Sequence, residues 1–152
     1  QYLQQPVGSV SSKTCRYRLG STDKNNGGLC NKVLTSFTYT GTLTGVTSNQ
    51  VFRDSGRTEA VNWFDEGEIT WTGGANNGLS AKIKSHAADG TFTLARPMYG
   101  TVAVGNTYSV IAGCRKRLAE DCVTKFNNVL NFGGEPHRQG INDLTGAPSA
   151  DV

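Results

Sequence analysis

Four cysteines carry the most distinctive chemistry in this sequence. Cys15 and Cys30 stand near its start and Cys114 and Cys122 near its end, with 14, 83 and 7 residues in the successive gaps. Thiols so placed have four uses. Two disulfides fit the even count, although small disulfide scaffolds are denser in cysteine. A structural zinc site takes four thiolates, but zinc ligands usually pair at C-x2–4-C, and neither short gap is that small. An iron–sulfur cluster also takes four thiolates and is less tied to tight spacing. Four unconnected buried thiols are the last possibility, and spacing does not choose among them.

Helix geometry adds one constraint. Were residues 114–122 a single helix, its two thiols would lie about 12 Å apart along the axis and about 80° apart around it. They could not share a metal. A shared site therefore requires a break after Cys114, with a helix starting near Asp121, where N-terminal N–H groups would stabilise a thiolate. Arg16, Arg18, Arg115, Lys116 and Arg117 flank the cysteines. They either offset the charge of a tetrathiolate site or are ordinary surface charge.

Other chemistry is sparser. His86 and His137 are the only histidines. Asp65, Glu66 and Glu68 lie between Trp63 and Trp71, and carboxylates beside aromatics suit a sugar hydrolase or a glycan contact on Trp63 and Trp71. Tryptophans on half-buried strands more often pack into a core. His86 is expected on a strand in a surface or hydrogen-bonded role, and His137 in a structural hydrogen bond. No G-x-S-x-G, Walker or H-E-x-x-H pattern occurs, and no catalysis is expected.

The elements that must position these residues read as mainly β. Of the 152 residues 36% are hydrophobic and 18% charged, and 19 are glycine. Such a chain makes turns and strands rather than helical bundles. Ser36–Val46 alternates Thr with Phe37, Tyr39, Leu43 and Val46, the period-2 mark of a half-buried strand. Glu68–Thr72, Ser80–His86, Thr91–Arg96 and Thr107–Ala112 follow, with Asp89-Gly90 predicting a hairpin turn. Five or six short strands suggest a small antiparallel β-barrel or sandwich. Cys122, Val123, Phe126, Val129 and Leu130 then predict a short C-terminal helix, capped by Asp121, ended by Gly133-Gly134 and followed by an extended tail. This divides the chain into a Cys-bearing segment 1–35, a β-domain 36–112, and a Cys-bearing helix and tail 113–152. A net charge of +3, with Arg115-Lys116-Arg117 as the one basic cluster, indicates no nucleic-acid partner. No apolar run is long enough for membrane insertion. Beginning without Met or a signal pattern, the chain reads as a processed product or a piece of a longer polypeptide.

The run from Ala112 to His137, AGCRKRLAEDCVTKFNNVLNFGGEPH, resembles the C-terminal signature of the tail-tip hub proteins of siphophage-type bacteriophages and gene transfer agents. That family includes the minor tail protein L of phage lambda. Gln5-Pro-Val-Gly8 with Cys15–Gly20, and Gly67–Gly78 in mid-chain, are similar to other parts of the same domain, so the resemblance spans nearly the whole chain. It implies a [4Fe–4S] cluster ligated by Cys15, Cys30, Cys114 and Cys122 that closes the domain. It implies a structural virion protein of the distal tail tip, the baseplate hub, assembled in the bacterial host cytoplasm as a homotrimer. The implied partners are a distal tail ring protein and a central receptor-binding fibre protein, and this chain would be the C-terminal part of a larger hub protein. The rival reading is a carbohydrate-binding β-domain held by two disulfides, and a third is a redox or hydrolytic enzyme.

Overall fold

A computed structural model describes residues 12–25 and 28–137. The expected tail beyond 137 and the Gln5–Gly8 motif lie outside the described residues. The chain divides into two compact units, Val33–Arg115 and a second made of Gln1–Lys32 with Lys116–Val152.

The Val33–Arg115 unit is a seven-stranded antiparallel sheet. Its strands are β1 (Thr38–Thr42), β2 (Gly45–Val46), β3 (Val51–Arg53), β4 (Glu68–Trp71), β5 (Ser80–His86), β6 (Thr91–Leu94) and β7 (Thr107–Ile111), in the order β1-β7-β4-β5-β6-β3-β2. A 3-10 turn, Thr35–Phe37, precedes them. No ladder pairs β1 with β2, so the expected barrel or sandwich is corrected to a single sheet that is not closed into a barrel. The two end strands are nonetheless joined by Leu43 and Thr44 alone. Two residues span only about 7 Å of chain, so the sheet must curl until its ends approach. The curl encloses Leu43, Phe52, Phe64, Ile69, Trp71, Ile83, Phe92, Leu94, Tyr108 and Val110 in one core. Alternation places them there: along β7, Tyr108 and Val110 are buried while Thr107 is exposed, as the two-residue period of a strand requires.

Two ionisable groups are drawn into this core. Asp54, just past β3, is buried and accepts the Tyr108 hydroxyl proton at 2.6 Å and the Gly56 N–H at 2.9 Å. Arg57 stands 3.5 Å from the Asp54 carboxylate and 3.3 Å from that of Glu59, and donates to the Thr40 carbonyl at 2.8 Å. On β1, Gly41 leaves room for this cluster, since a Cβ there would meet the Tyr108 hydroxyl oxygen at 2.6 Å. His86, at the end of β5, is buried, not a surface residue, with its ring 4.8 Å from Phe64 and 4.9 Å from Phe92.

In the other unit the expected α-helix from Asp121 is replaced by a π-helical segment, Leu118–Lys125, and a 3-10 turn, Val129–Asn131. The Cys122 N–H reaches the Arg117 carbonyl and the Phe126 N–H that of Asp121, each five residues back, the π pattern. Asp121 is not the N-cap. It lies buried inside the segment, and its carboxylate accepts the Arg117 backbone N–H at 3.2 Å. Of the five expected helix positions, Cys122 and Phe126 are buried, whereas Val123, Val129 and Leu130 are exposed.

Candidate metal centre

The residues around the cysteines are held by hydrogen bonds that join the start of the chain to its end. The Cys15 N–H donates to the Lys116 carbonyl at 2.9 Å, and the Glu135 N–H to the Ser12 carbonyl at 2.7 Å. Arg16 donates its backbone N–H and its Nε to the Gly133 carbonyl, at 3.3 and 3.1 Å. The Lys116 ammonium donates to the Tyr17 carbonyl. Arg117 pairs instead with Glu120, at 2.7 Å. Arg16 and Lys116 thus fasten backbone beside the cysteines, a use beyond both expected for them.

Two sulfurs receive N–H donors. The Gly133 backbone N–H points at Cys15 Sγ from 3.3 Å. Asn128 Nδ2 donates to the Cys30 carbonyl at 2.7 Å and lies 3.5 Å from Cys30 Sγ. Gly133 can come this close because it has no side chain. A Cβ there would sit 2.7 Å from the Tyr17 ring. Asn128 also donates its backbone N–H to the Cys122 carbonyl at 2.7 Å, so one residue is fastened to both Cys30 and Cys122.

All four cysteines are buried, and none forms a disulfide. Cys15, Cys30 and Cys122 belong to the unit of the two chain ends, while Cys114 is the penultimate residue of the sheet unit. The helical segment begins at Leu118, so residues 114–122 are not one helix, as a shared site requires. Among the described residues no three His, Cys, Asp or Glu side chains stand in a metal-holding arrangement. By residue type alone, four buried thiols are the donor set of a thiolate-bound group. The N–H dipoles at Cys15 and Cys30 would stabilise those two sulfurs as thiolates.

The sheet takes up Trp71 and occupies Asp65 and Glu66, residues of the glycan and hydrolase readings. Trp71 is buried, its ring 5.2 Å from Phe52 and 6.5 Å from Tyr108, so no sugar can stack on it. Trp63 is half-buried against the same core. Asp65 accepts the His86 backbone N–H at 2.7 Å, and Glu66 is paired with Lys82. His137 is exposed. Sequence reasoning did not single out Asn128, and it read Gly133 only as part of a helix stop. Both lie in the C-terminal motif, but nothing in their spacing tells that they meet sulfurs 98 and 118 residues away.

The fold is shared with a solved structure. A chain described within the "Virion of native gene transfer agent (GTA) particle" superposes with a TM-score of 0.75 at 24% identity, over 99% of this chain and 51% of that one. This chain therefore spans about half the length of the protein it resembles. Among curated proteins none matches. Residues 62–141 match a family model described as "Phage conserved hypothetical protein BR0599", a stretch that runs from the loop before β4 through the π-helical segment. On that match, which takes in more than half of its residues, the chain belongs to the BR0599 family of conserved phage proteins.

Proposed function

We propose that this chain is a structural virion protein of the distal tail tip, the baseplate hub, of a long-tailed phage or gene transfer agent. The observation that carries the proposal is the fold shared, over nearly the whole chain, with a chain of a gene transfer agent virion. Membership of a phage protein family and the resemblance of residues 112–137 to the tail-tip hub signature support it. In this reading the chain is the C-terminal part of a larger hub protein. It assembles in the host cytoplasm as a homotrimer, against a distal tail ring protein and a central receptor-binding fibre protein.

Cys15, Cys30, Cys114 and Cys122 are the ligands of a [4Fe–4S] cluster in this proposal. When bound, the cluster supplies covalent cross-links between the two ends of the chain, and metal ligation of this kind contributes folding free energy directly. The chain's own residues prepare for it. Gly133 and Asn128 direct N–H groups at two of the sulfurs, and Arg16 and Lys116 hold the adjoining backbone. A reducing cytoplasm keeps the thiols available during assembly.

The test is iron, zinc and sulfide analysis with an absorbance spectrum on anaerobically purified protein, alongside mass spectrometry of purified particles. Equal iron and labile sulfide, with broad brown absorbance lost in Cys122→Ser, is the expected result. A colourless, metal-free protein overturns the cluster. Absence of the chain from particles overturns the virion role.

A further inference from the structure

One end of the curled sheet is almost free of charge. The antiparallel order sends β2 to β3, β4 to β5 and β6 to β7 around this end, through residues 47–50, 72–79 and 95–106. Arg96, at the root of the last connection, is the one charged side chain in all three. The connections at the other end, 54–67 and 87–90, hold Asp54, Arg57, Glu59, Asp65, Glu66 and Asp89.

Within the uncharged end, the longest connection is pinned on both sides of a single residue. Before Tyr99, the Met98 N–H donates to the Asn49 carbonyl at 2.9 Å, and Asn49 Oδ1 accepts the Val102 N–H at 3.1 Å. After it, Gly100 gives both backbone groups to the buried side chain of Asn76. Its N–H donates to Oδ1 at 2.9 Å, and its carbonyl accepts from Nδ2 at 3.0 Å. A Cβ at position 100 would lie 2.6 Å from that Oδ1, so the clamp needs glycine there. Met98 and Val102 turn into the core, whereas the Tyr99 side chain is wholly exposed. The backbone is thus fixed by two asparagines from the neighbouring connections, and the ring it carries stands in water. Leu79 and Val104, on the same end, are exposed as well.

We infer that Tyr99 is the anchor of a docking surface for a different protein of the particle, one that presents an uncharged, concave pocket. The inference rests on the virion role proposed above. Tyrosine is enriched among the residues that dominate binding energy, and an anchor already fixed at its backbone loses little freedom on docking. Interface cores are depleted of charge, because a charge buried there without a partner stays unpaid in desolvation. An anionic partner, whether nucleic acid or acidic membrane, would find only Arg96 to meet it. A sugar stacks on one face of a ring, but both faces of Tyr99 are open, and a protein pocket is what encloses both. Among the described residues, the cleft this chain would offer a second copy runs over residues 18–23 and carries Arg18 and Asp23. It does not match an uncharged end, which points to a different protein.

The experiment builds particles whose chain carries the photo-cross-linker of Tyr99→p-benzoylphenylalanine, and identifies the cross-linked peptides by mass spectrometry after illumination. Position 99 is expected to join a different protein of the particle, at a stretch without charged side chains. Tyr99→Ala is expected to melt at an unchanged temperature, since the ring touches nothing in its own chain, yet to be about tenfold scarcer in particles. A merely structural residue would lower melting instead. If Tyr99→Ala does melt lower, the cross-link alone decides. Particles that hold the chain but give no cross-link at 99, one only to another copy, or one into a charged stretch, overturn the inference and leave the virion role standing. So does normal incorporation of a stable Tyr99→Ala chain. Absence of the unsubstituted chain from particles overturns the virion role, and the inference with it.

Discussion

Asp54 is a carboxylate taken almost wholly out of water, and its partners are what make that tolerable. The Tyr108 hydroxyl donates to it at 2.6 Å, and the Gly56 N–H and the Arg57 guanidinium lie on its other sides. Burial, and then the bond to Asp54, push the Tyr108 phenol far above its ordinary 10, so it stays a donor at every accessible pH. Tyr108→Phe keeps the ring in the core but removes that donor. It is expected to cost about 1–3 kcal/mol, read from urea unfolding followed by tryptophan fluorescence. His86 gives the residue scale its pH dependence. Burial lowers its pKa below the ordinary 6.5, against the opposing pull of the Ala60 backbone and the Glu59, Asp65 and Asp89 carboxylates. The unfolded chain therefore takes up a proton before the folded chain does. The contribution of His86 is complete above pH 6.5 and is lost progressively as pH falls below it. Melting temperatures measured between pH 7.5 and 5 should fall, and the fall should be shallower in His86→Leu.

Among the elements β3 is the shortest to do much packing. Its three residues, Val51–Arg53, put one side chain fully into the core, Phe52, which meets Trp71 at 5.2 Å and Phe92 at 5.9 Å. Phe52→Ala is expected to cost about 3–5 kcal/mol, as a fall in the urea midpoint at unchanged slope. The same brevity hides β3 from sequence reasoning, because three residues hold too little alternation to show a period. The longer strands were legible for the opposite reason: β1, β4, β5, β6 and β7 lie within the stretches that alternation picks out. The helical segment was legible in place but not in kind. Apolar spacing at Val123, Val129 and Leu130 suggested one α-helical face, yet these residues are exposed. What sets the winding is a series of bonds five residues long, reinforced by the Thr124 hydroxyl on the Ala119 carbonyl at 2.8 Å. At the site, thiols of unusual spacing were visible by type. Their N–H donors were not, because a backbone amide and an asparagine side chain have no signature until the chain is folded.

At the scale of the whole molecule, the two units rest on different supports. The sheet unit has a continuous aromatic and aliphatic core of its own. The unit of the chain ends has short helical turns and, in the proposed function, a bound cluster. Removing iron and sulfide by chelation is therefore expected to speed hydrogen exchange at the Cys15, Cys122 and Gly133 amides by orders of magnitude, while the β4 and β7 amides stay protected. Exchange mass spectrometry of the loaded and stripped chain measures both. The curled sheet has one more consequence. Its free borders are β1, five residues long, and β2, only two, and both belong to a single bent stretch from Thr38 to Val46. Of these, β2 is too short to take on a strand, and on β1 the Thr40 carbonyl is already occupied by the Arg57 guanidinium. Molecules of this chain crowded to high local concentration are therefore expected to resist stitching their sheets into fibres, which light scattering of concentrated protein checks.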